Sequence, residues 1–254
     1  MILYSPLIFL FGLAIGSFLN VLILRIPDRR SLFGRSSCLS CQRSLRWFEL
    51  FPVVSYMALR GKCRSCRVGI SLQYPLVELT TALLFLFVFL QHSVLNILLF
   101  RDWFFIAVLI VLFVHDLRFR ILPDIITLPA IAIAIIFWFI PSFNLQLTTY
   151  NLLAVVIGTL FFLLQWLFSR GRWVGGGDIR LGALIGAIVG WPNILFALFV
   201  AYISGAIFGC AAMMMGRVTR KSQIPFGTFL TASTICTMFW GDAIVGWYTH
   251  VIGL

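Results

Sequence analysis

Four cysteines and two aspartates are the residues whose types and spacing could do chemistry in this chain. Cys38-Leu39-Ser40-Cys41 and Cys63-Arg64-Ser65-Cys66 are two C-x-x-C pairs with 21 residues between them. Four thiolates at that interval, close to zinc-ribbon spacing, supply a tetrahedral zinc site. Four cysteines leave no open position for water, so the zinc is structural. Asp116 closes an apolar stretch in His115-Asp116-Leu117-Arg118, and Asp178 follows the run Gly175-Gly176-Gly177 where another apolar helix begins. A charged group at the rim of a hydrocarbon segment costs about 2.5–3.5 kcal/mol on insertion scales and marks a functional site by default.

Two carboxylates brought to one membrane level can share a proton and a water. One then serves as base towards the water while the other, protonated, polarises a scissile carbonyl. The glycines at 175 to 177 take side chains away from Asp178, so an extended backbone can approach it. Helix dipoles assign the charge to Asp178, at a helix start, and the proton to Asp116, at a helix end, although such a pair titrates as a unit. Asp124, directly after Pro123, has a structural reading: a carboxylate at a helix start caps exposed N–H groups and favours the dipole. Asp116 has no such explanation, beyond compensation by Arg118 and Arg120.

The elements that must position these groups are membrane helices. The chain has 254 residues, 61% of them hydrophobic and 11% charged, with a mean hydropathy of +1.06. That composition excludes a soluble protein with a water-facing surface. The expectation is an all-α polytopic membrane protein of about eight spans, at Leu3–Leu24, Tyr74–Leu90, Val94–Val114, Ile125–Ile140, Leu152–Phe168, Leu181–Val189, Ile194–Met214 and Phe226–Trp240,. The first lacks a basic n-region and a cleavage site and reads as a retained helix. The domains follow as 1–24, a first helix; 25–73, a zinc-binding loop; and 74–254, a membrane domain carrying both aspartates.

The net charge of +11 reports orientation. With the N-terminus outside and the spans alternating, the loop from Arg25 to Arg67 and the basic residues at 118, 120, 170, 172, 180, 217, 220 and 221 share one face. Only Arg101 falls on the other, an 18 to 1 split that makes the first face cytoplasmic,. Asp116 and Asp178 lie on that face too. Nucleic acid is not an expected partner, because the basic loop lacks the interleaved aromatics of a base-stacking platform. A reducing cytosol argues against two disulfides among the loop cysteines, and a redox role for either pair is the weaker alternative. Metal binding supplies roughly 10 kcal/mol or more to a loop too poor in apolar sequence to fold alone. Asn20, in Gly16-Ser17-Phe18-Leu19-Asn20, reads as a helix-packing residue. Cys210 and Cys236 read as small core residues, and His115 as interfacial. His92 and His250, near the outer ends of spans, have no ligand-spaced partners.

In this ordered set the sequence resembles the type IV prepilin leader peptidases, membrane aspartic proteases of the GxGD class. The resemblance runs nearly end to end. It rests on Gly16-Ser17-Phe18-Leu19-Asn20-Val21 with Arg25-Ile26-Pro27, both cysteine pairs, Trp47-Phe48-Glu49-Leu50-Phe51-Pro52, Arg60-Gly61-Lys62-Cys63-Arg64, and Tyr74-Pro75-Leu76-Val77-Glu78-Leu79. It continues through Asp116 to Asp124, Gly175 to Asp178, and Ile224-Pro225-Phe226-Gly227. It implies cleavage of the short basic leader of prepilins or pseudopilins, after a glycine, at the cytoplasmic face of a bacterial inner membrane. Asp116 and Asp178 then stand at the catalytic positions and Asp124 at an auxiliary one. It also implies methylation of the new N-terminus with S-adenosylmethionine, a cofactor for which the residues offer no signature of their own. The sequence departs from the family at Arg67, where Gly is common, and at Thr228, where Pro is common; neither departure is expected to touch the aspartates. Two other classes compete: a proton- or cation-coupled transporter with paired intramembrane aspartates, and a zinc-organised assembly protein in which the aspartates are dispensable.

Overall fold

A backbone in lipid must satisfy every N–H and C=O internally, and the chain does so with helices. The computed structural model describes residues 4–92, 95–139, 145–217, 219, 222 and 224–252. Arg220 and Lys221, two of the basic residues that mark orientation, and the expected span limits Leu3, Val94 and Ile140 lie outside the described residues. In chain order the helices are α1 Ser5–Arg25, α2 Val54–Ala58, α3 Gln73–His92, α4 Ile97–Phe119, α5 Asp124–Phe137, α6 Leu145–Ser169, α7 Gly176–Val189, α8 Asn193–Met214 and α9 Phe226–Ile252. A 3-10 turn, Trp47–Leu50, precedes α2. Among the described residues there is no strand, only isolated bridges at Ser37–Ser44 and Lys62–Gly69.

Each of the eight expected spans corresponds to a helix, but only six helices among the described residues are long and apolar enough to cross a membrane: α1, α3, α4, α6, α8 and α9. The other two, α5 and α7, have 14 residues each and reach about 21 Å at 1.5 Å per residue. That falls short of the roughly 30 Å of hydrocarbon. Local chemistry sets their limits. Pro123 precedes α5 and Gly190, at φ 68°, ends α7; a left-handed φ suits glycine, which has no Cβ to clash.

The chain packs as two compact units, Met1–Val111 and Leu112–Leu254, with α4 running from the first into the second. In the first unit α1 and α3 are antiparallel. A Cβ on Gly12 would sit 2.6 Å from Ala82 Cα, and one on Gly16 would sit 2.6 Å from Glu78 Cα. One turn further, Asn20 Nδ2 donates to Tyr74 O at 3.1 Å. Small residues thus let the two backbones close, and Asn20 pins them, as its packing role requires.

In the second unit the short helix α7 holds the centre. α7 packs against α5, α6, α8 and α9, and its Leu181, Leu184 and Ile185 are fully buried. Its glycines explain how a helix fits there. A Cβ on Gly182 would overlap the Gly158 carbonyl of α6, and one on Gly186 would overlap the backbone at Ala154. Just past the end of α5, Trp138 Nε1 donates to Ala187 O at 3.0 Å.

Candidate active site and candidate metal centre

The second unit brings the two aspartates together. Asp116, in the last turn of α4, is 6% exposed. Asp178, in the first turn of α7, is close enough to feel its charge. Each carboxylate is gripped by the N-terminus of a helix. Asp178 Oδ2 accepts the Gly175 N–H at 2.9 Å, closing the first turn of its own helix. Asp116 Oδ2 accepts the Thr228 N–H at 2.7 Å from the first turn of α9, and the Gly227 N–H also bonds it. Helix N-termini carry unsatisfied N–H groups and the positive end of the dipole, a natural seat for a carboxylate.

This corrects two expectations. On its own helix Asp116 sits at the C-terminal end, where the dipole alone would favour the proton,. Spatially Asp116 faces the N-terminus of α9, so both carboxylates receive the same kind of stabilisation and the local dipoles no longer distinguish them. The Thr228 departure does touch an aspartate, since its N–H is a donor that proline at that position lacks.

The glycine run is open where the expectation needs it to be. A Cβ on Gly176 would meet nothing within 4 Å, and one on Gly175 would meet Asp178 Oδ2 at 3.6 Å. Gly177 differs, because a Cβ there would press on Leu122 at 3.1 Å. Asp124 does not cap α5. Pro123 occupies the N-cap and the Asp124 carboxylate pairs with Arg180, two residues beyond Asp178. Both partners are half exposed, so the pair contributes little stability, but it ties the start of α5 to the start of α7. Tyr202 on α8 lies within electrostatic reach of Asp178, and its hydroxyl donates to Gln165 Oε1 at 2.8 Å.

Sequence reasoning missed Gly227 and Thr228 as holders of Asp116, although the Pro225-Phe226-Gly227 motif was in view. Prolines and glycines at a helix start are the available signal; the partner, 112 residues away, is not. His115 is buried, with its ring 5.4 Å from that of Phe119. His92 has a partner in Asp102, at 2.7 Å. Cys210 and Cys236 are exposed on α8 and α9 rather than in the core.

In the first unit the Sγ atoms of Cys38, Cys41, Cys63 and Cys66 all lie within 4.8 Å of one another, with Cys38 and Cys66 3.8 Å apart. A tetrahedron with zinc–sulfur bonds of about 2.3 Å has edges of about 3.8 Å, so the four residues fit the ion. The two knuckles have the same construction. Cys38 N–H donates to Arg43 O at 3.0 Å and Cys63 N–H to Val68 O at 2.8 Å. The residue after each second cysteine is left-handed, Gln42 at φ 57° and Arg67 at φ 57°. Arg67 therefore occupies a position that favours glycine. Amide donors lower two of the thiols: the N–H groups of Cys66 and Ser65 pull Cys63 down to about 6, and those of Cys41 and Ser40 lower Cys38,; at Cys66, against the lowering Val68 N–H, burial and the other three thiols push the group up to about 11. Glu49 braces the first knuckle, taking Arg43 at 2.6 Å and the Arg46 N–H at 2.7 Å.

A polytopic helical protein with two coupled carboxylates and a four-cysteine cluster is the class that these features define. Residues 10–92 match the bacterial peptidase A24 N-terminal domain, and residues 103–210 match the type IV leader peptidase family. Similar proteins include a prepilin leader peptidase/N-methyltransferase of Bacillus subtilis (strain 168), 35% identical over 246 residues covering 95% of this chain and 96% of that one. Proteins so named from Aeromonas salmonicida (strain A449) and Legionella pneumophila are each 33% identical. They cover 98% of this chain and 95% of theirs, and 94% and 92%, respectively. No solved structure matches the chain. The chain belongs to the type IV leader peptidase family, and its apolar helices together with that family make it a bacterial inner-membrane protein.

Proposed function

We propose that this protein is a membrane aspartic endopeptidase that removes the basic leader of prepilins or pseudopilins and methylates the new N-terminus. The observation that carries the proposal is the convergence of Asp116 and Asp178 within one unit, each seated on helix N-terminal amides and electrostatically coupled. Family membership supports the substrate class, and the relatives' printed names support the second activity. The transporter reading gains no support from the family.

In the reaction one aspartate, ionised, takes a proton from a water, whose oxygen attacks the scissile carbonyl. The other, protonated, donates a hydrogen bond to the carbonyl oxygen, and the leaving amine departs with a proton as the C–N bond breaks. The amides of Gly227, Thr228 and Gly175 hold the carboxylates at fixed positions, so little reorganisation accompanies the chemistry. The open flank at Gly175 and Gly176 admits the extended leader–helix junction of the substrate, Gly177 packs on Leu122, and Asp124 with Arg180 steadies the α7 start as a positioning pair.

Cys38, Cys41, Cys63 and Cys66 hold a zinc ion whose contribution is structural, shaping residues 25–73 as a separate loop domain between the first helix, 1–24, and the peptidase domain, 74–254. S-adenosylmethionine is the methyl donor by analogy with the relatives' names. The N-terminus lies outside, with the loop and the aspartates on the cytoplasmic face, on the strength of the charge asymmetry.

The test is cleavage of a model prepilin by purified protein in detergent, with mass spectrometry of the product N-terminus. Wild type should cut and, with S-adenosylmethionine present, add one methyl group. Asp116→Ala and Asp178→Ala should each abolish the cut, and cleavage that survives both substitutions would refute the dyad.

A further inference from the structure

The loop of the first unit turns an apolar surface outward. Trp47 is 74% exposed, Phe51 52%, Val54 64% and Met57 71%. The Trp47 ring lies 5.8 Å from that of Phe51, and Val54 and Met57 share one face of α2. The polar contacts of the same segment point the other way. Glu49 is buried against Arg43 and the Arg46 amide, and Tyr56 donates to Ile70 O at 3.4 Å, beside the second knuckle. A water-facing loop would have the reverse polarity.

Two observations indicate what covers this face. The Val53 N–H donates to Glu78 Oε2 at 2.7 Å. Glu78 is five residues into α3, about 7.5 Å along the axis from its first residue, and Gly16 of α1 packs over its Cα. Val53, and with it Val54, is thereby tied to a level inside the α1–α3 pair, both of whose helices are apolar enough to span a membrane. The segment is also bracketed by exposed cations, Arg46 before it and Arg60, Lys62 and Arg64 after it. A band of tryptophan and aliphatic side chains flanked by Arg and Lys matches the interface of a bilayer with anionic headgroups.

We propose that Trp47–Ala58 is an interfacial membrane anchor. The outward side chains Trp47, Phe51, Val54 and Met57 enter the headgroup and upper acyl region of the bilayer that α1 and α3 cross, and the flanking cations meet anionic lipid phosphates. The zinc knuckles, joined to the anchor through Glu49 and Tyr56, are held against the membrane surface. This inference does not rest on the peptidase reading.

The experiment is photocrosslinking of the full chain with p-benzoylphenylalanine placed singly at Trp47, Val54 and Met57, in proteoliposomes of phosphatidylethanolamine and phosphatidylglycerol. The control position is Leu39, which is 64% exposed on the first knuckle. Zinc content and mass spectrometry of the adducts are read for each. Phospholipid adducts at 47, 54 and 57, several-fold above those at 39 in proteins that retain zinc, support the anchor. Equal yields at all four positions, or adducts chiefly to a second copy of the chain, would overturn it. Loss of the lipid adducts when a prepilin is added in excess would also overturn it, by making this face a substrate-docking surface.

Discussion

In the first unit four thiols lie together because two local turns each place a pair, with only a short stretch of chain between them. In the second, two carboxylates from different helices lie together because tertiary packing sets the start of α7 and the start of α9 around the end of α4. The first arrangement is local in sequence and sets four thiols at the separations of a metal site. The second is non-local and depends on helix packing, with amides already aimed at the carboxylates. A metal site can therefore be lost by removing one small ligand, whereas the carboxylate site can be disturbed from positions that carry no charge.

The largest effect is expected from the metal. Chelation of zinc, or Cys63→Ser, should remove about 10 kcal/mol of folding free energy from the loop. Limited proteolysis should then cut between residues 35 and 70 while the membrane helices stay resistant; a loop that stays protected without zinc would end the contrast between the two units. Next come the aspartates. Asp116→Ala or Asp178→Ala should lower kcat by about 10³- to 10⁴-fold, and the double substitution should cost little more than either, because members of one catalytic unit are not additive.

Smaller effects probe the seat of Asp116. In Gly227→Ala the new Cβ would lie 2.9 Å from Asp116 Oδ2, and the displaced carboxylate should cost about 10²-fold in kcat. Thr228→Pro removes one donor and sets a ring methylene where the amide hydrogen met Asp116 Oδ2, so the carboxylate must shift, and kcat should fall by about tenfold or more. If the neutral Gly227→Ala change left kcat untouched, Asp116 would not depend on α9.

The loop also has a pH signature. The Arg43 contact holds the Glu49 carboxyl below the usual range, so the contribution of Glu49 to stability is complete above its unfolded value and is lost as pH falls through its folded value. Glu49→Gln should therefore leave the loop more readily proteolysed at pH 7, and the difference from wild type should close as the pH drops below the ordinary carboxylate range. The smallest change sharpens the knuckle comparison: Arg67→Gly relieves a left-handed arginine and should raise loop stability by about 1 kcal/mol, seen as slower zinc loss to a chelator.

The sequence by itself determined the helical membrane class and marked the four cysteines and the two aspartates that the fold brings together, because each has a one-dimensional mark: apolar run length, paired spacing, or a carboxylate at the edge of an apolar run. It also pointed to Asn20 as a packing residue. It lent eight apolar segments equal standing, and only the packed structure separates six long helices from the short α5 and α7, of which α7 is enclosed by four neighbours. Asp124 read as a cap because its neighbour Pro123 was the only partner visible along the chain; the fold supplies Arg180. The dipole basis for assigning the proton falls away for the same reason. A helix dipole acts on whatever its end faces, and that Asp116 faces the first turn of α9 is decided by packing, through contacts that no local pattern encodes.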